Sequence, residues 1–247
     1  MSKVHVEHLG KTYKNGVRAL EDVSFEVQEG EFVSFIGMSG AGKTSLIRML
    51  NGMLVPTSGT IHIDNQEIGR LNRREKRSVQ KHIGTIYQDF CLVDGLTCYE
   101  NVLNGCLGNQ NIFQTLVGIF TKEQREYASL VLKQVGLLDK KDVKAKELSG
   151  GQKQRTAIAR SMMQQPQILL ADEPVASLDP YTSEQILELL KKLQKQYHLT
   201  VIINSHNVEA SLKYSDRIIG IKEGRVVLDK QVNEVSEEEL KLVYGMK

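Results

Sequence analysis

The chain has 247 residues, of which 40% are hydrophobic and 25% charged, and its formal net charge is +2. This composition suits one large domain with a real core, or a core with an inserted subdomain, and it excludes a disordered chain and a general nucleic-acid-binding protein. No stretch is long and apolar enough to cross a membrane, and the first residues lack the apolar segment of a secretory signal.

The first ninety residues are predicted to form mostly short strands and turns around one helix. Asn15-Gly16 is a hairpin-turn signal, and a helix is expected over 43–53. The basic segment 70–78 favours a solvated loop over a nucleic-acid patch, because the whole chain is nearly neutral. The β-rich runs that predict strands are 23–27, 32–36, 60–64 and 83–87.

The middle of the chain, about 95–145, changes to apolar residues spaced three and four apart, which predicts helices. No clear strand interrupts them, so we expect an inserted helical subdomain. Cys91, Cys98 and Cys106 have neither zinc-site spacings nor an even count, which favours reduced structural thiols in a cytosolic protein.

The last hundred residues alternate strands with helices, which predicts a parallel sheet covered on both faces. Strands are expected at 167–172, 200–204 and 217–221, with helices over 183–197 and 208–215. The apolar stripe of the first of these helices consists of Ile186, Leu189, Leu190, Leu193 and Tyr197.

The segment GMSGAGKT, from Gly37 to Thr44, is a phosphate-binding pattern between a predicted strand and a predicted helix. Backbone N–H groups from Gly40 to Thr44 would surround a β-phosphate at the positive end of the helix. Lys43 would add a full charge to the β- and γ-phosphates, and the Thr44 hydroxyl would bind Mg²⁺. The alternative is a chance glycine-rich turn, which this strand–loop–helix context disfavours.

The strand ILLADE ends in two carboxylates, Asp172 and Glu173. Asp172 is expected beside the glycine loop, where it would hold Mg²⁺ through water. Glu173 points elsewhere, because side chains alternate along a strand, and is placed to polarise an attacking water. A solvated acidic turn is the alternative.

A second glycine segment, LSGGQKQ from Leu148 to Gln154, is predicted to run from a loop into a helix capped by Ser149. Serine and two glycines at a helix N-terminus form a second anion site, although the segment alone could be a connector.

Over essentially its whole length the sequence resembles the ATP-binding subunits of ABC transporters. GMSGAGKT resembles their Walker A loop, ILLADE their Walker B strand and LSGGQ their signature. The resemblance implies an α/β fold: a P-loop NTPase (RecA-like) core with a mostly parallel sheet, an N-terminal antiparallel β subdomain and an inserted α-helical subdomain. Residues 1–247 would form one ATP-binding domain, in which 1–90 and 155–247 form the β subdomain and core, and about 91–154 the helical subdomain with the signature.

The resemblance also assigns roles to residues that would be unremarkable alone. Gln88 resembles the Q-loop glutamine that senses Mg²⁺ and the attacking water, and His206 the switch histidine that contacts the γ-phosphate. Asp179 lies in a segment that resembles the D-loop, and Tyr13 resembles the aromatic that stacks on adenine. Without the resemblance, His206 would be a surface or core histidine, Gln88 a polar strand end and Tyr13 a packing residue.

The implied cofactors are ATP and Mg²⁺. In the resembled family two copies pair head to tail, and the signature of one chain holds the nucleotide on the P-loop of the other. The catalytic residues would be Glu173, His206 and Gln88, and the metal-binding residues Thr44, Gln88 and Asp172. The ATP-binding residues would be Tyr13, Gly37, Met38, Ser39, Gly40, Ala41, Gly42, Lys43, Thr44 and Ser45. Those acting on the partner's ATP would be Leu148, Ser149, Gly150, Gly151, Gln152 and Asp179.

Within this family the chain is most similar to the phosphonate-import branch. The segments that carry this similarity are DEPVASLDP, FCLVDGLTCYENVLNGCLG, NIFQTLVGIFTKEQREYA and SEEELKLVYG. Lys153, Thr156, Cys91 and Cys98 depart from common residues, but none is expected to touch a phosphate. The implied partners are a second copy of the chain, membrane permease subunits docking near Gln88 and 90–105, and an extracytoplasmic solute-binding protein. The resemblance implies a peripheral position on the cytoplasmic face of the cell membrane and no nucleic-acid partner.

Four alternatives remain at this point. The cassette could serve an importer of phosphate, phosphite or another small solute. A soluble DNA-repair or chromosome ATPase would need a long coiled coil between the two glycine segments, and no heptads are present there. A translation-associated ATPase would need two nucleotide domains in one chain. A non-catalytic nucleotide-binding module would be expected to lack Lys43 or Glu173.

Overall fold

The computed structural model describes residues 2–110 and 118–245, which form two sheets and a set of helices. The strands are β1 (Ser2–Thr12), β2 (Arg18–Gln28), β3 (Phe32–Ile36), β4 (Ser58–Ile63), β5 (Gln66–Glu67), β6 (Ile83–Ile86), β7 (Ile168–Asp172), β8 (Thr200–Asn204), β9 (Arg217–Lys222) and β10 (Arg225–Gln231). The α-helices are α1 (Lys43–Leu50), α2 (Arg73–Gln80), α3 (Cys98–Leu103), α4 (Lys122–Gln134), α5 (Gly150–Met162), α6 (Pro180–Tyr197), α7 (Val208–Tyr214) and α8 (Glu237–Tyr244).

The larger sheet has six strands in the order β10-β9-β3-β8-β7-β6. All neighbours in it pair in parallel except β9 and β10. Every residue of β3, β7 and β8 is buried, as expected for central strands covered on both faces. Their near-continuous apolar sequences therefore specify the middle of this sheet rather than an edge.

The smaller sheet has four strands in the order β2-β1-β4-β5, and all of them pair antiparallel. One apolar layer fills the space between this sheet, α1 and one face of the larger sheet. Phe25 of β2 and Phe35 of β3 meet there edge to face, with ring centroids 5.4 Å apart. This layer fixes the antiparallel sheet against the strand that leads into the glycine loop.

The other face of the larger sheet is covered by helices that share a second apolar layer. α3, α4 and α5 pack on one another, and Leu132 and Ile158 are fully buried among them. The expected boundary at residue 154 falls inside α5, so the helical region continues without a break into Met162. In the described part of this region the only strand-type pairing is an isolated antiparallel bridge between Thr97 and Lys144.

Several predictions about elements were wrong in detail. Residues 73–80 form a helix rather than a loop, because Asn72 and Glu75 form a capping box that offsets the charged composition. The first helix ends at Leu50 instead of Met53, before Gly52 takes a positive φ of 72°. β1 and β2 are 11 residues long rather than short. β10 and α8 were not predicted.

Part of the insertion NIFQTLVGIFTKEQREYA, residues 111–117, lies outside the described residues, and its later part begins α4. No helix in the described ranges is both long and apolar enough to span a membrane. Cys98 and Cys106 are buried, Cys91 is exposed, and all three thiols are free.

Candidate functional site

The glycine loop connects β3 to α1 and is held on one side by the protein's own backbone. Gly37 has φ 145° and a Cβ there would lie 2.1 Å from the Ile221 carbonyl oxygen; Gly42 has φ 105° and its Cβ would lie 2.3 Å from the Ala19 oxygen. Gly40 also has a positive φ, 80°, but nothing lies within 4 Å of the added atom. The loop therefore packs tightly at its two ends and leaves open space at its middle, where a phosphate could approach the backbone.

Lys43 begins α1 and is only 4% exposed. Its Nζ donates to the carbonyl oxygens of Gly37 at 2.7 Å and Met38 at 2.9 Å, which places the ammonium group under the loop. Burial lowers the pKa of Lys43, and the negative charges of Glu173 and Asp172 partly oppose that shift. A desolvated cation bonded only to neutral carbonyls is well suited to receive an anion.

Thr44, which is half-buried, forms a polar cluster beside the loop with the buried residues Asp172 and Asn204. The Thr44 hydroxyl donates to Asp172 Oδ1 at 3.0 Å, and the Asn204 amide donates to the same oxygen at 2.7 Å. Asp172 and Asn204 end neighbouring parallel strands and are direct partners in the sheet register. The predicted proximity of the glycine loop to the first carboxylate of ILLADE is thus present.

Glu173 lies one residue past β7 and turns away from this cluster. It has a positive φ of 51°, which is rare for a residue with a side chain and is typical of functional sites. Its Oε1 lies 2.6 Å from His206 Nε2, and its side chain is 19% exposed. Two of the three predicted catalytic side chains, Glu173 and His206, therefore form a pair at the edge of the site.

With the exception of Asp172, these side chains line one cavity of about 190 Å³ above the glycine loop. Its walls are formed by the glycine loop, by residues at and just after the ends of β7 and β8, and by residues 17–19 at the start of β2. The lining residues are Val17, Arg18, Ala19, Ser39, Gly40, Ala41, Gly42, Lys43, Thr44, Ser45, Glu173, Asn204 and His206.

Two further predicted residues lie near this cavity without lining it. The Tyr13 hydroxyl is 2.9 Å from Ser45 Oγ, and the Lys11 ammonium lies 5.5 Å from the centre of the Tyr13 ring. Gln88 is exposed and follows β6 two residues after the last paired position, Ile86. Tyr13 is thus beside the first turn of α1, and Gln88 lies at the same end of the sheet as Asp172.

The second glycine segment begins α5 as predicted. Ser149 is the N-cap: its Oγ accepts a hydrogen bond from the Gln152 N–H at 3.3 Å, and its own N–H donates to Gln152 Oε1 at 3.0 Å. Leu148 is buried in the helical core, whereas Ser149 and Gly150 are exposed. A Cβ on Gly151 would lie 2.5 Å from Thr182 Cγ2, so α6 packs directly on this end of the helix.

Asp179 caps the neighbouring helix α6 by accepting from the Thr182 N–H at 3.0 Å, and this bonding lowers its pKa. In the described part of the chain, neither residues 148–152 nor Asp179 line the cavity over the glycine loop. Within one chain the two glycine segments are therefore separate surfaces.

Sequence reasoning missed Asn204 and Arg160. Asn204 was read only as the end of a strand. Arg160 of α5 donates through Nη2 to the Phe90 carbonyl at 2.8 Å and through Nη1 to the Cys91 carbonyl. Phe90 and Cys91 have positive φ values of 57° and 49°, so Arg160 holds a strained turn just after Gln88. Arg160 lies near the end of a helix that carries several other charged and polar residues, so no local pattern in the sequence distinguishes it.

A comparison with known protein families agrees with the resemblance that the two glycine segments and the ILLADE strand indicated. The family model described as ABC transporter matches residues 20–176. The chain belongs to the ABC transporter family. A protein of Lactococcus lactis subsp. lactis named phosphonates import ATP-binding protein PhnC is 40% identical over 98% of each chain. A protein of the same name from Bdellovibrio bacteriovorus is 43% identical over 98% of this chain and 93% of its own.

Solved structures of cassettes agree with this assignment. The ATP-binding cassette MJ0796, in a dimeric post-hydrolysis state with ADP and Pi, has a TM-score of 0.80 and 35% identity, covering 93% of this chain and 98% of its own. CbiO1 of Clostridium perfringens, part of the transporter complex cbiONQ, has a TM-score of 0.84 and 32% identity, covering 97% and 92%. The predicted P-loop NTPase fold and the predicted resemblance to ABC ATPases of the phosphonate-import branch are confirmed.

Membership of this family implies nucleotide binding, and the donor set also fits Mg²⁺. A threonine hydroxyl and a carboxylate converge beside a buried lysine, and oxygen ligands with one or two carboxylates are what Mg²⁺ prefers. No group of three histidine, cysteine or acidic residues able to hold a metal alone occurs in the described ranges.

Replacing Gly42 by alanine should weaken ATP binding at least about 10-fold, or about 1.4 kcal/mol, in calorimetric titrations. The added Cβ would lie 2.3 Å from the Ala19 carbonyl oxygen, so the loop must move. Gly136→Ala is the control: its φ is also positive, 72°, but the nearest atom to the added Cβ is the flexible end of Arg155 at 3.7 Å. The ATP affinity of this variant should stay within about 2-fold of wild type. A positive φ costs alanine only ~1–2 kcal/mol of folding stability, and this strain lies outside the nucleotide site. Equal losses of affinity in the two variants would contradict this account.

Proposed function

We propose that this chain is the ATP-hydrolysing subunit of an importer for phosphonate or a related small phosphorus oxyanion. The observation that carries the ATPase part is the hydrogen bond from Thr44 to Asp172 at 3.0 Å beneath an open glycine loop, with the Glu173–His206 pair beside it. The relatives named for phosphonate import carry the transport part.

In this proposal the triphosphate lies over the loop from Gly37 to Ser45. The backbone N–H groups and Lys43 bind the β- and γ-phosphates, and the Tyr13 ring stacks on adenine. Thr44 and Asp172 hold Mg²⁺, with Gln88 contributing from the end of β6. Mg²⁺ held by these residues would supply positive charge to the phosphate oxygens.

Hydrolysis needs a base in line with the γ-phosphate, and Glu173 is the candidate. Its carboxylate lies at the rim of the cavity and already contacts His206 at 2.6 Å. We assign Glu173 to polarise the attacking water and His206 to contact the γ-phosphate and orient Glu173. The positive φ of Glu173 supports this assignment, because strain of this kind persists where function selects it.

The second glycine segment completes the site of another copy. Ser149 and Gly150 are exposed at the start of a helix, where backbone N–H groups favour an anion. Leu148, Gly151, Gln152 and Asp179 would shape that surface. A two-fold dimer in which each signature covers the partner's loop uses both surfaces, and the dimeric cassette MJ0796 supports such an arrangement.

The transport partners are a pair of membrane permease subunits and an extracytoplasmic solute-binding protein, with this chain at the cytoplasmic face of the membrane. A groove of about 390 Å³ lies between the turn after β6 and the helical region, lined in part by Tyr87, Cys91, Asn104 and Arg160. We assign the permease contact to this groove, because it adjoins Gln88 and joins the two parts of the chain.

Glu173→Gln should keep ATP affinity but lower the hydrolysis rate at least about 100-fold, because a positioned base contributes ~10²–10⁴-fold. The variant should accumulate an ATP-bound dimer in size-exclusion chromatography with Mg²⁺. Glu188→Gln, an exposed position on α6, is the matched control and should hydrolyse ATP at the wild-type rate. A Glu173→Gln chain that stays an active monomer would refute both the base assignment and the dimer.

Mixing Ser149→Arg chains with Lys43→Ala chains should restore ATPase activity that neither variant has alone. A mixed dimer contains one intact composite site and one site that has lost both residues. The expected recovery is at most about a quarter of wild-type activity, since half of the random dimers are mixed and each has one of two sites. ATP-dependent association of differently tagged chains provides the second readout. Activity of either variant alone, or a mixture equal to the sum of its parts, would speak against cross-chain completion.

A deletion strain should fail to grow on an alkylphosphonate as its only phosphorus source and still grow on phosphate. The wild-type gene should restore growth, and Glu173→Gln should not, because uptake requires hydrolysis. Loss of growth on phosphite or phosphate instead would reassign the substrate to that oxyanion. Unchanged growth on all three would refute phosphorus import.

A further inference from the structure

Asn204 is a buried polar residue at the centre of the site to which neither the motifs nor the fold assign a role. It ends β8 between β3 and β7, pairing with Phe35 on one side and Asp172 on the other. It is only 1% exposed. A buried amide needs a hydrogen-bond partner for each of its polar atoms, or the fold loses stability.

The orientation of this amide follows from its neighbours. Its nitrogen lies 2.7 Å from Asp172 Oδ1 and 3.4 Å from the Thr44 hydroxyl. A carboxylate oxygen can only accept, so the atom facing it must be the NH₂ group. Asn204 Oδ1 therefore faces the other way, and it has no hydrogen-bond partner among the described residues.

Asn204, which carries this unpartnered acceptor, lines two cavities. Asn204 lines the cavity of about 190 Å³ over the glycine loop and a second one of about 510 Å³ toward α6 and α7. Glu173 and His206 line both cavities as well. Since no described residue donates to Oδ1, we assign its donor to a water molecule held in these cavities.

The same amide also fixes the metal-side carboxylate. Asp172 Oδ1 accepts from both Thr44 and Asn204, whereas no donor in the described part of the chain bonds Oδ2. With Oδ1 held by two donors, the carboxylate cannot rotate freely. Oδ2 is left to accept hydrogen bonds from the metal's hydration shell.

We propose that Asn204 is a positioning residue for Mg²⁺: its NH₂ group fixes Asp172, and its buried Oδ1 accepts a hydrogen bond from a water of the metal's shell. This inference rests on the proposed nucleotide site and adds a residue to it. Partners that orient a ligand in this way typically change metal affinity about 10–100-fold when removed.

The test uses the full chain with Mn²⁺ as the metal probe and a non-hydrolysable ATP analogue. Electron paramagnetic resonance measures the Mn²⁺ affinity of the protein–analogue complex, and a fluorescent analogue in EDTA measures metal-free nucleotide affinity. Asn204→Leu removes both polar groups at nearly constant volume, and Asn204→Ser is a second variant in case leucine impairs folding. Thr200→Val is the control: it is fully buried at the other end of β8 and loses one hydrogen bond, from the Gly30 N–H.

We expect Asn204→Leu and Asn204→Ser to weaken Mn²⁺ binding about 10-fold or more, with metal-free nucleotide affinity within about 2-fold of wild type. Thr200→Val should change neither quantity. Unchanged Mn²⁺ affinity, or parallel losses with and without metal, would overturn the role of Asn204 alone. Failure of the wild-type chain to bind the analogue at all would instead overturn the proposed nucleotide site.

Discussion

The parallel register of β3, β8 and β7 is the constraint on which the site depends. Phe35 pairs with Asn204, and Asn204 pairs with Asp172, so three strands end at the same level. Because parallel strands share their carboxyl edge, the loop after β3 meets the side chains that end the other two strands. Slipping β7 by one residue would turn Asp172 away from Thr44 and expose an apolar residue there. The burial of all three strands is what prevents that slip.

Burial at this edge also sets the electrostatics. Lys43 is bonded to two neutral carbonyls while Asp172 and Glu173 lie close enough to raise its pKa against the effect of burial. In a desolvated cavity the Coulomb interaction between such closely spaced charges is strong, because little water is present to screen it. The site therefore favours a polyanion that reaches the lysine, together with a cation that neutralises the carboxylates. Neither alone balances the charges present.

The sequence was sufficient for the parts of this arrangement that depend on local patterns. The apolar strands, the glycine loop and the Ser149 cap are each determined within a few residues, and their order predicts the sheet. Asn204 was missed because its role arises only when β8 lies between β3 and β7, which no local pattern contains. The helix from Arg73 was missed because Val79 is its single apolar residue, so it has no apolar periodicity, and only the Asn72–Glu75 capping box indicates it. The roles of Gln88 and Tyr13 were predicted from family resemblance alone. The geometry of the single chain adds no support, because neither residue lines the cavity over the glycine loop.

The helix α5 links the exposed signature surface to the interior of the same chain. At its start, Ser149 is exposed and Gly151 packs on Thr182. Near its other end, Arg160 bonds the Phe90 carbonyl, which follows Gln88 by two residues. Because a helix is stiff over this length, it joins the signature surface rigidly to the turn after β6. The surface proposed to meet a partner's nucleotide and the groove proposed to meet the permease are therefore parts of one mechanical unit.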